Sequence, residues 1–273
     1  MSARLILVSE HTSTERPDPA STAQIAELLL AGVSRVWFRS VAPGPRPVAR
    51  SVLPWLPPAT DVTLSPPLWP EPTGSGQGLD VDPRSDSGDR CRNGNRRVEA
   101  DEAAGRVSGD RCRSGNDRGV MLPRLHVPAR LLGDESTLRR LATLREAGPA
   151  LRVSTGVHSV AELLLAVDVL GDALEFCFAS PWALTPSKPG YGPALGPEGL
   201  RELIELAPCP VVALGGVLPG HVAQLAELGC AAVAVMGPLA GVDGPARARA
   251  YVAAIGGASW SVAAPPLCAS ASL

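Results

Sequence analysis

The chain alternates between short continuous apolar runs and stretches in which apolar residues return every three or four positions. Arg4 to Ser9 carries Leu5-Ile6-Leu7-Val8, the kind of run expected for a strand buried on both faces. Ser21 or Thr22 can cap a helix running to about Ala31, with Ile25, Leu28, Leu29 and Leu30 near one face and Gly32 as its stop. Val33 to Arg39 is the next strand. Strand, helix, strand is the opening of a parallel α/β fold.

The rhythm then breaks. Between Pro43 and Pro72 prolines recur every few residues, which removes backbone donors and forbids a lasting helix. Only Asp61 to Ser65 reads as a short strand there. Residues 71–119 are rich in Gly, Ser, Asp, Asn and Arg and have few apolar anchors. They cannot bury enough surface to offset the entropy of ordering them. They also hold a duplicated segment, Ser87-Gly88-Asp89-Arg90-Cys91-Arg92 and Ser108-Gly109-Asp110-Arg111-Cys112-Arg113. One reading is a paired-thiol or metal-binding tract. A duplicated disordered insertion is preferred; two copies do not make a stacked solenoid either.

Regular structure resumes near Val120. Leu125-His126-Val127 ends a short apolar stretch, and Asp134 or Ser136 opens a helix through Leu138, Leu141 and Leu144, closed by Gly148. Leu151 to Ser154 is a strand, followed by a Gly156-Val157-His158 loop. Ser159 and Glu162 form a capping box for a helix through Leu163, Leu164, Val167 and Leu170, stopped by Gly171. Ala173 to Cys177 is a buried strand, a helix spans about Glu198 to Leu206, and Val211 to Leu214 is a strand ending in Gly215-Gly216. Pro219 suits the first turn of a helix through Val222, Leu225 and Leu228, stopped by Gly229. Ala231 to Met236 is the last strand and ends at Gly237. A helix over about Pro245 to Ile255 and a loose tail from Gly257 complete the chain.

Continuous apolar strands between amphipathic helices fit a parallel sheet covered by helices, and the strand total comes near eight. The predicted class is α/β: a (β/α)8 barrel of the TIM type, irregular or incomplete around its third βα unit. Residues 1–70 supply the first βα units, 71–119 the disordered insertion, 120–256 the rest of the barrel and 257–273 the tail.

Composition narrows the function classes. Apolar residues make up 45% of 273 residues but aromatics only 4%, so Ala, Leu and Val must build the core. A formal net charge of −2 and no basic tail give no field to attract nucleic acid. No apolar run approaches the ~18 residues of a membrane span, and the first apolar run is too short for a secretory signal. A cytoplasmic protein is expected. Six cysteines, Cys91, Cys112, Cys177, Cys209, Cys230 and Cys268, contain no C-x-x-C, so neither a disulfide framework nor a zinc site is supported.

In such barrels the chemistry lies at the C-terminal strand ends, with a phosphate site often after the last two strands. Arg39, His126, His158, Thr185 to Lys188, Gly215-Gly216 and Gly237 all fall at such ends. Thr185, Ser187 and Lys188 offer two hydroxyls and a cation, suited to a phosphate or carboxylate; taken alone the stretch is also a Pro- and Ser-rich turn. Gly permits close backbone approach to an anion, and equally a tight βα turn. His158 is the candidate for proton transfer, against a loop histidine bonded to backbone. His126 is a binding candidate or a structural residue. Trp37 and Trp182 either wall a ring-binding pocket or simply pack. His221 lies on an exposed helix start and is expected to be inert.

Three segments carry a family resemblance: Ser180-Pro181 to Lys188-Pro189, Val212-Ala213-Leu214-Gly215-Gly216-Val217, and Val233-Ala234-Val235-Met236. In this order they resemble the thiamine-phosphate synthase/TenI family, with its T-x-[ST]-K loop, its G-G strand end and its final G-[VI]-A-V strand. Val157-His158-Ser159 resembles the V-H-S loop of the TenI-like branch, and Leu125-His126-Val127-Pro128 resembles the V-H-L segment. The resemblance covers residues 120–256 and, more weakly, 4–40. It implies a (β/α)8 barrel that binds a small phosphorylated thiazole-type ligand, held by Arg39, His126, Thr185, Ser187, Lys188, Gly215, Gly216 and Gly237.

Departures from the family decide between reactions. Where the synthase branch has Gln, Arg and Lys at the second strand end, this chain has Trp37, Arg39 and Val41. No N-D-R segment is present, and the second metal-ligand position is Leu131, so carboxylates for Mg2+ are lacking there. The resemblance therefore points first to a TenI-like tautomerase with His158 as acid and base and no cofactor. The alternatives are a thiamine-phosphate synthase, which would need Mg2+, and a degenerate barrel that only binds a ligand. No membrane or nucleic-acid partner is expected, and self-association is left open.

Overall fold

The computed structural model describes residues 4–10, 19–39, 61–64, 124–148, 151–184 and 193–260. The 71–119 insertion with its duplicated segment, the tail beyond residue 260, and Thr185, Ser187 and Lys188 lie outside these residues. Eight parallel strands follow one another around a closed barrel: β1 Leu5–Glu10, β2 Arg35–Arg39, β3 Asp61–Leu64, β4 Arg124–Val127, β5 Val153–Val157, β6 Leu174–Ala179, β7 Val211–Leu214 and β8 Ala232–Val235. The outer layer described here holds α1 Pro19–Leu30, α2 Glu135–Ala147, α3 Val160–Leu170, α4 Gly196–Leu206, α5 Val222–Leu228 and α6 Gly244–Gly257. No helix among the described residues is long and apolar enough to cross a membrane.

The strand most obscured in the sequence is the one that completes the ring. β3 pairs with β2 from Arg35↔Asp61 to Phe38↔Leu64, and with β4 through only Thr63↔Arg124 and Leu64↔Leu125. β8 then closes on β1 through Leu5↔Val233 to Leu7↔Val235. The irregularity expected at the third unit is thus a short seam in a closed barrel. β5 runs further than its apolar run suggested: Gly156 and Val157 pair with Phe178 and Ala179, so two residues expected in a loop belong to the sheet.

Strand alternation sorts side chains into an inner and an outer core. Ile6, Val8, Trp37, Phe176, Phe178, Val212, Ala232 and Ala234 fill the barrel. Leu5, Leu7, Val36, Val153, Cys177, Val211 and Val233 face the helices instead. Cys177, Cys209 and Cys230 are free thiols. Burial pushes the Cys230 thiol up to about 12, as befits a small core hydrophobe.

Helix termini follow local chemistry. The Asp134 carboxylate accepts from Thr137 N–H at 2.7 Å and caps α2. Gly229, at φ 100°, ends α5 in the left-handed conformation. At the start of α3 only half of the expected capping box forms. Ser159 Oγ accepts from Glu162 N–H at 3.3 Å, but the Glu162 carboxylate accepts from His158 N–H at 2.7 Å rather than from the cap residue. His158 offers a ring nitrogen as well, and the two together hold the carboxylate one residue upstream.

A buried charge cluster plugs the N-terminal end of the barrel. The register between β5 and β6 shifts at Val153/Ser154, so Leu174 pairs with Val153 and Phe176 with Ser154. That bulge turns Glu175 toward the interior, as bulges re-aim side chains. Its carboxylate accepts from Arg124 Nε at 2.6 and 2.7 Å and lies 3.7 Å from Arg35. Arg35 is itself 1% exposed and stacks 5.0 Å from the Phe176 ring centroid. Removing one partner of a buried ion pair costs on the order of 3 kcal/mol. Glu175→Ala should lower the unfolding free energy by about that much; a urea melt shifted by less than a third of it would show that the cluster is not needed.

Candidate functional site

Because all eight strands run in parallel, their C-terminal ends share one mouth. Arg39 ends β2, His126 is the penultimate residue of β4, His158 follows β5, Gly215 follows β7, and Gly237 follows β8. The Arg39 backbone pairs with Glu10; its side chain lies outside the described set. These strand ends therefore share one mouth, and the described residues there bond to three different sets of partners.

The first group lies at the ends of β6 and β7. The chain leaves β6 through a cis Ser180–Pro181 peptide. Trp182 N–H then donates to Leu214 O at 2.8 Å, and Ala183 N–H donates to Gly215 O at 3.0 Å. On the far side of the loop, Leu195 N–H donates to Pro181 O at 2.9 Å and Gly196 N–H to Trp182 O at 3.2 Å. Thus the described chain on both sides of Thr185, Ser187 and Lys188 is tied to one corner. Gly215 and Gly216 have φ of 85° and 68°, a region costly for other residues. A Cβ on Gly216 would come within 2.7 Å of Ala183 C and 2.9 Å of Leu184 O, and one on Gly215 within 3.1 Å of Pro181. Both the turn and the close approach of the two loops require glycine here. Gly237 differs: a Cβ there would meet nothing within 4 Å, so its setting is open rather than packed.

Two side chains that sequence reasoning missed brace this corner. Tyr251 of α6 donates its hydroxyl to Val217 O at 2.7 Å, directly after the glycine pair. Burial pushes its phenol up to about 12. His221 was expected to be exposed and inert, but it is half-buried and bonded. Trp182 Nε1–H donates to its Nδ1 at 3.2 Å, and so does Leu218 N–H. No local pattern announces either contact, since their partners are 34 and 39 residues away.

The second group is His126 with the barrel aromatics. Its ring is 2% exposed, 4.1 Å from the Trp37 centroid and 5.7 Å from that of Phe178. Its Nδ1 lies 3.1 Å from Ser154 Oγ. Trp37 stacks on Phe178 at 4.7 Å and 16°. So Trp37 packs inward, beside the rings of His126 and Phe178. The third group is His158, whose Nδ1 lies 2.8 Å from Glu162 Oε2 on the partly exposed outer start of α3.

Two outcomes follow from the β6–β7 corner. Gly216→Ala should cost about 2 kcal/mol through strain and the clash with Ala183; a calorimetric Tm equal to the parent's would refute the tight approach. Tyr251 is held protonated in the folded state, so its contribution is complete below its ordinary value of 10 and fades as pH rises toward about 12. Stability should fall across that window, and Tyr251→Phe should flatten the fall. Equal alkaline slopes for the two proteins would contradict it.

Comparison with known proteins gives this geometry a context. Residues 125–239 match the family model described as thiamine monophosphate synthase. A thiamine-phosphate synthase of Corynebacterium efficiens is 32% identical over 140 residues, which are 51% of this chain and 62% of that protein. The thiamine biosynthesis bifunctional protein ThiM/ThiE of Symbiobacterium thermophilum is 35% identical over 134 residues, 49% of this chain and 27% of its own length. The matches thus span less than two thirds of these relatives. Among solved structures, the thiamine phosphate pyrophosphorylase of Pyrococcus furiosus superposes with a TM-score of 0.54 at 14% identity, covering 93% of this chain and 96% of that one, a likeness of fold. Through the stretch from β4 to the turn after β8, this chain is similar to the thiamine monophosphate synthase family.

Proposed function

We propose that the barrel binds a phosphorylated thiazole at the ends of β6, β7 and β8 and joins it to a pyrimidine carried as its pyrophosphate. The C. efficiens relative is named a thiamine-phosphate synthase, which supports this reading. The observation that carries the reading is the β6–β7 corner. The glycine pair seals it, the family match spans it, and it borders Thr185, Ser187 and Lys188. Every proposed binding residue except Arg39 lies in the matched stretch. Phosphate oxygens would take the Lys188 charge, the two hydroxyls and backbone N–H groups near Gly215, Gly216 and Gly237.

Mg2+ enters this reading through the pyrophosphate. At Leu131, where the resemblance would place a ligand carboxylate, an aliphatic side chain packs against the core. That position does not fit the metal, and no step is routed through it.

The His158–Glu162 pair favours a second reading, TenI-like tautomerisation of a thiazole phosphate. The carboxylate fixes the imidazole through Nδ1 at 2.8 Å, which assigns proton exchange to Nε2. The two readings separate in one assay. Purified protein receives thiazole phosphate with pyrimidine pyrophosphate and Mg2+, or the thiazole carboxylate phosphate alone. Thiamine phosphate in the first mixture supports joining. Isomerisation in the second, reduced about 10²-fold or more by His158→Ala, supports proton transfer. Binding without turnover in either would leave a ligand-binding barrel and defeat both.

A further inference from the structure

We infer that His221 is a positioning residue: its unprotonated Nδ1 clamps Trp182 to the β7–α5 connection and so holds the exit of β6 against the Gly215-Gly216 turn. The inference rests on the phosphate-binding reading of the β6–β7 corner and assigns that corner a residue which no family motif quoted above contains.

Two N–H donors converge on one nitrogen. Trp182 Nε1 and Leu218 N both lie 3.2 Å from His221 Nδ1. Both share the single lone pair of that nitrogen, which must be unprotonated to accept them, so the ring proton of the neutral imidazole resides on Nε2. The indole and imidazole rings meet edge to face, with centroids 6.1 Å apart and planes at 68°. Trp182 is 5% exposed, and its backbone is already bonded to Leu214 O and Gly196 N. This one residue therefore meets the end of β7, the start of α4 and, through His221, the connection to α5. Without an acceptor at Nδ1, the buried indole N–H and the Leu218 N–H would lose their common partner. A buried donor left unsatisfied is costly, and rotation of the indole would relieve it. That rotation would shift Ala183 and Leu184, the two residues immediately before Thr185. Asn places a carbonyl oxygen where histidine carries Nδ1, so it can accept the same two bonds.

The test uses the full-length protein with His221→Ala, His221→Asn and Trp182→Phe. Binding of inorganic phosphate and of thiazole phosphate is measured by calorimetry, and the indole N–H and imidazole nitrogens are followed by NMR. The clamp predicts a wild-type imidazole with an unprotonated Nδ1 and an indole resonance that moves in His221→Ala. Affinity should weaken about tenfold in His221→Ala and in Trp182→Phe, and return to within about threefold in His221→Asn. The double variant His221→Ala/Trp182→Phe should lose no more than the worse single one, since both remove one interaction. If His221→Ala does not fold, Trp182→Phe and His221→Asn decide the matter. Wild-type affinity in folded His221→Ala or Trp182→Phe, or no rescue by Asn, would overturn the inference while leaving the phosphate reading intact. A wild type that binds neither probe would overturn the phosphate reading and this inference together.

Discussion

Backbone hydrogen bonding around a closed ring of eight short parallel strands is the constraint on which everything else here depends. Such a sheet is covered by helices outside and filled by side chains inside, so its N–H and C=O groups have no solvent to fall back on. Each strand must pair on both edges. The four residues of β3 meet that demand with a two-residue seam to β4, and this seam spans 59 intervening residues between Leu64 and Arg124. Once the ring closes, all the strand ends face one way, and the residues that follow them share one mouth.

Filling the ring then limits what the mouth can hold. The interior is asymmetric: Trp37, Phe176 and Phe178 contribute large rings, while β8 contributes only Ala232 and Ala234. Small residues on one side make room for the Trp37–Phe178 stack, and His126 closes against it. At the opposite end the bulge in β6 brings Glu175 to Arg124 and Arg35. The barrel is thus closed below by charge and in the middle by aromatics. Among the described residues at the rim, the start of the β6 loop and the β7 loop are braced through Gly215, Gly216, Trp182, His221 and Tyr251.

Much of this was legible in the sequence because it is local. Period and length marked seven of the strands clearly, since a buried strand has to be apolar over its whole short span. Gly171, Gly229 and Asp134 marked helix ends because a terminus must satisfy its own backbone groups with nearby atoms. The order of T-x-S-K, G-G and the last strand pointed to the family that the comparisons then returned for residues 125–239. Reading Gly156-Val157 as a loop failed for a non-local reason: β6 lies alongside and pairs with both residues. The Ser159 capping box was half wrong because Glu162 had a better pair of donors in His158.

By itself the sequence determined the alternating architecture, the family resemblance of residues 125–239, and the placing of candidate residues after strands. Apolar periodicity and turn chemistry act over a few residues and need no tertiary contact to be read. Only the tertiary structure decided what each candidate touches. It put Trp37 into the core rather than at the rim, sank His126 behind aromatic rings, tied His158 to Glu162, and made His221 the acceptor for Trp182. Apart from the local His158–Glu162 pair, those contacts join residues from different strands and loops, and their partners are chosen by barrel closure and packing rather than by any neighbour in the chain.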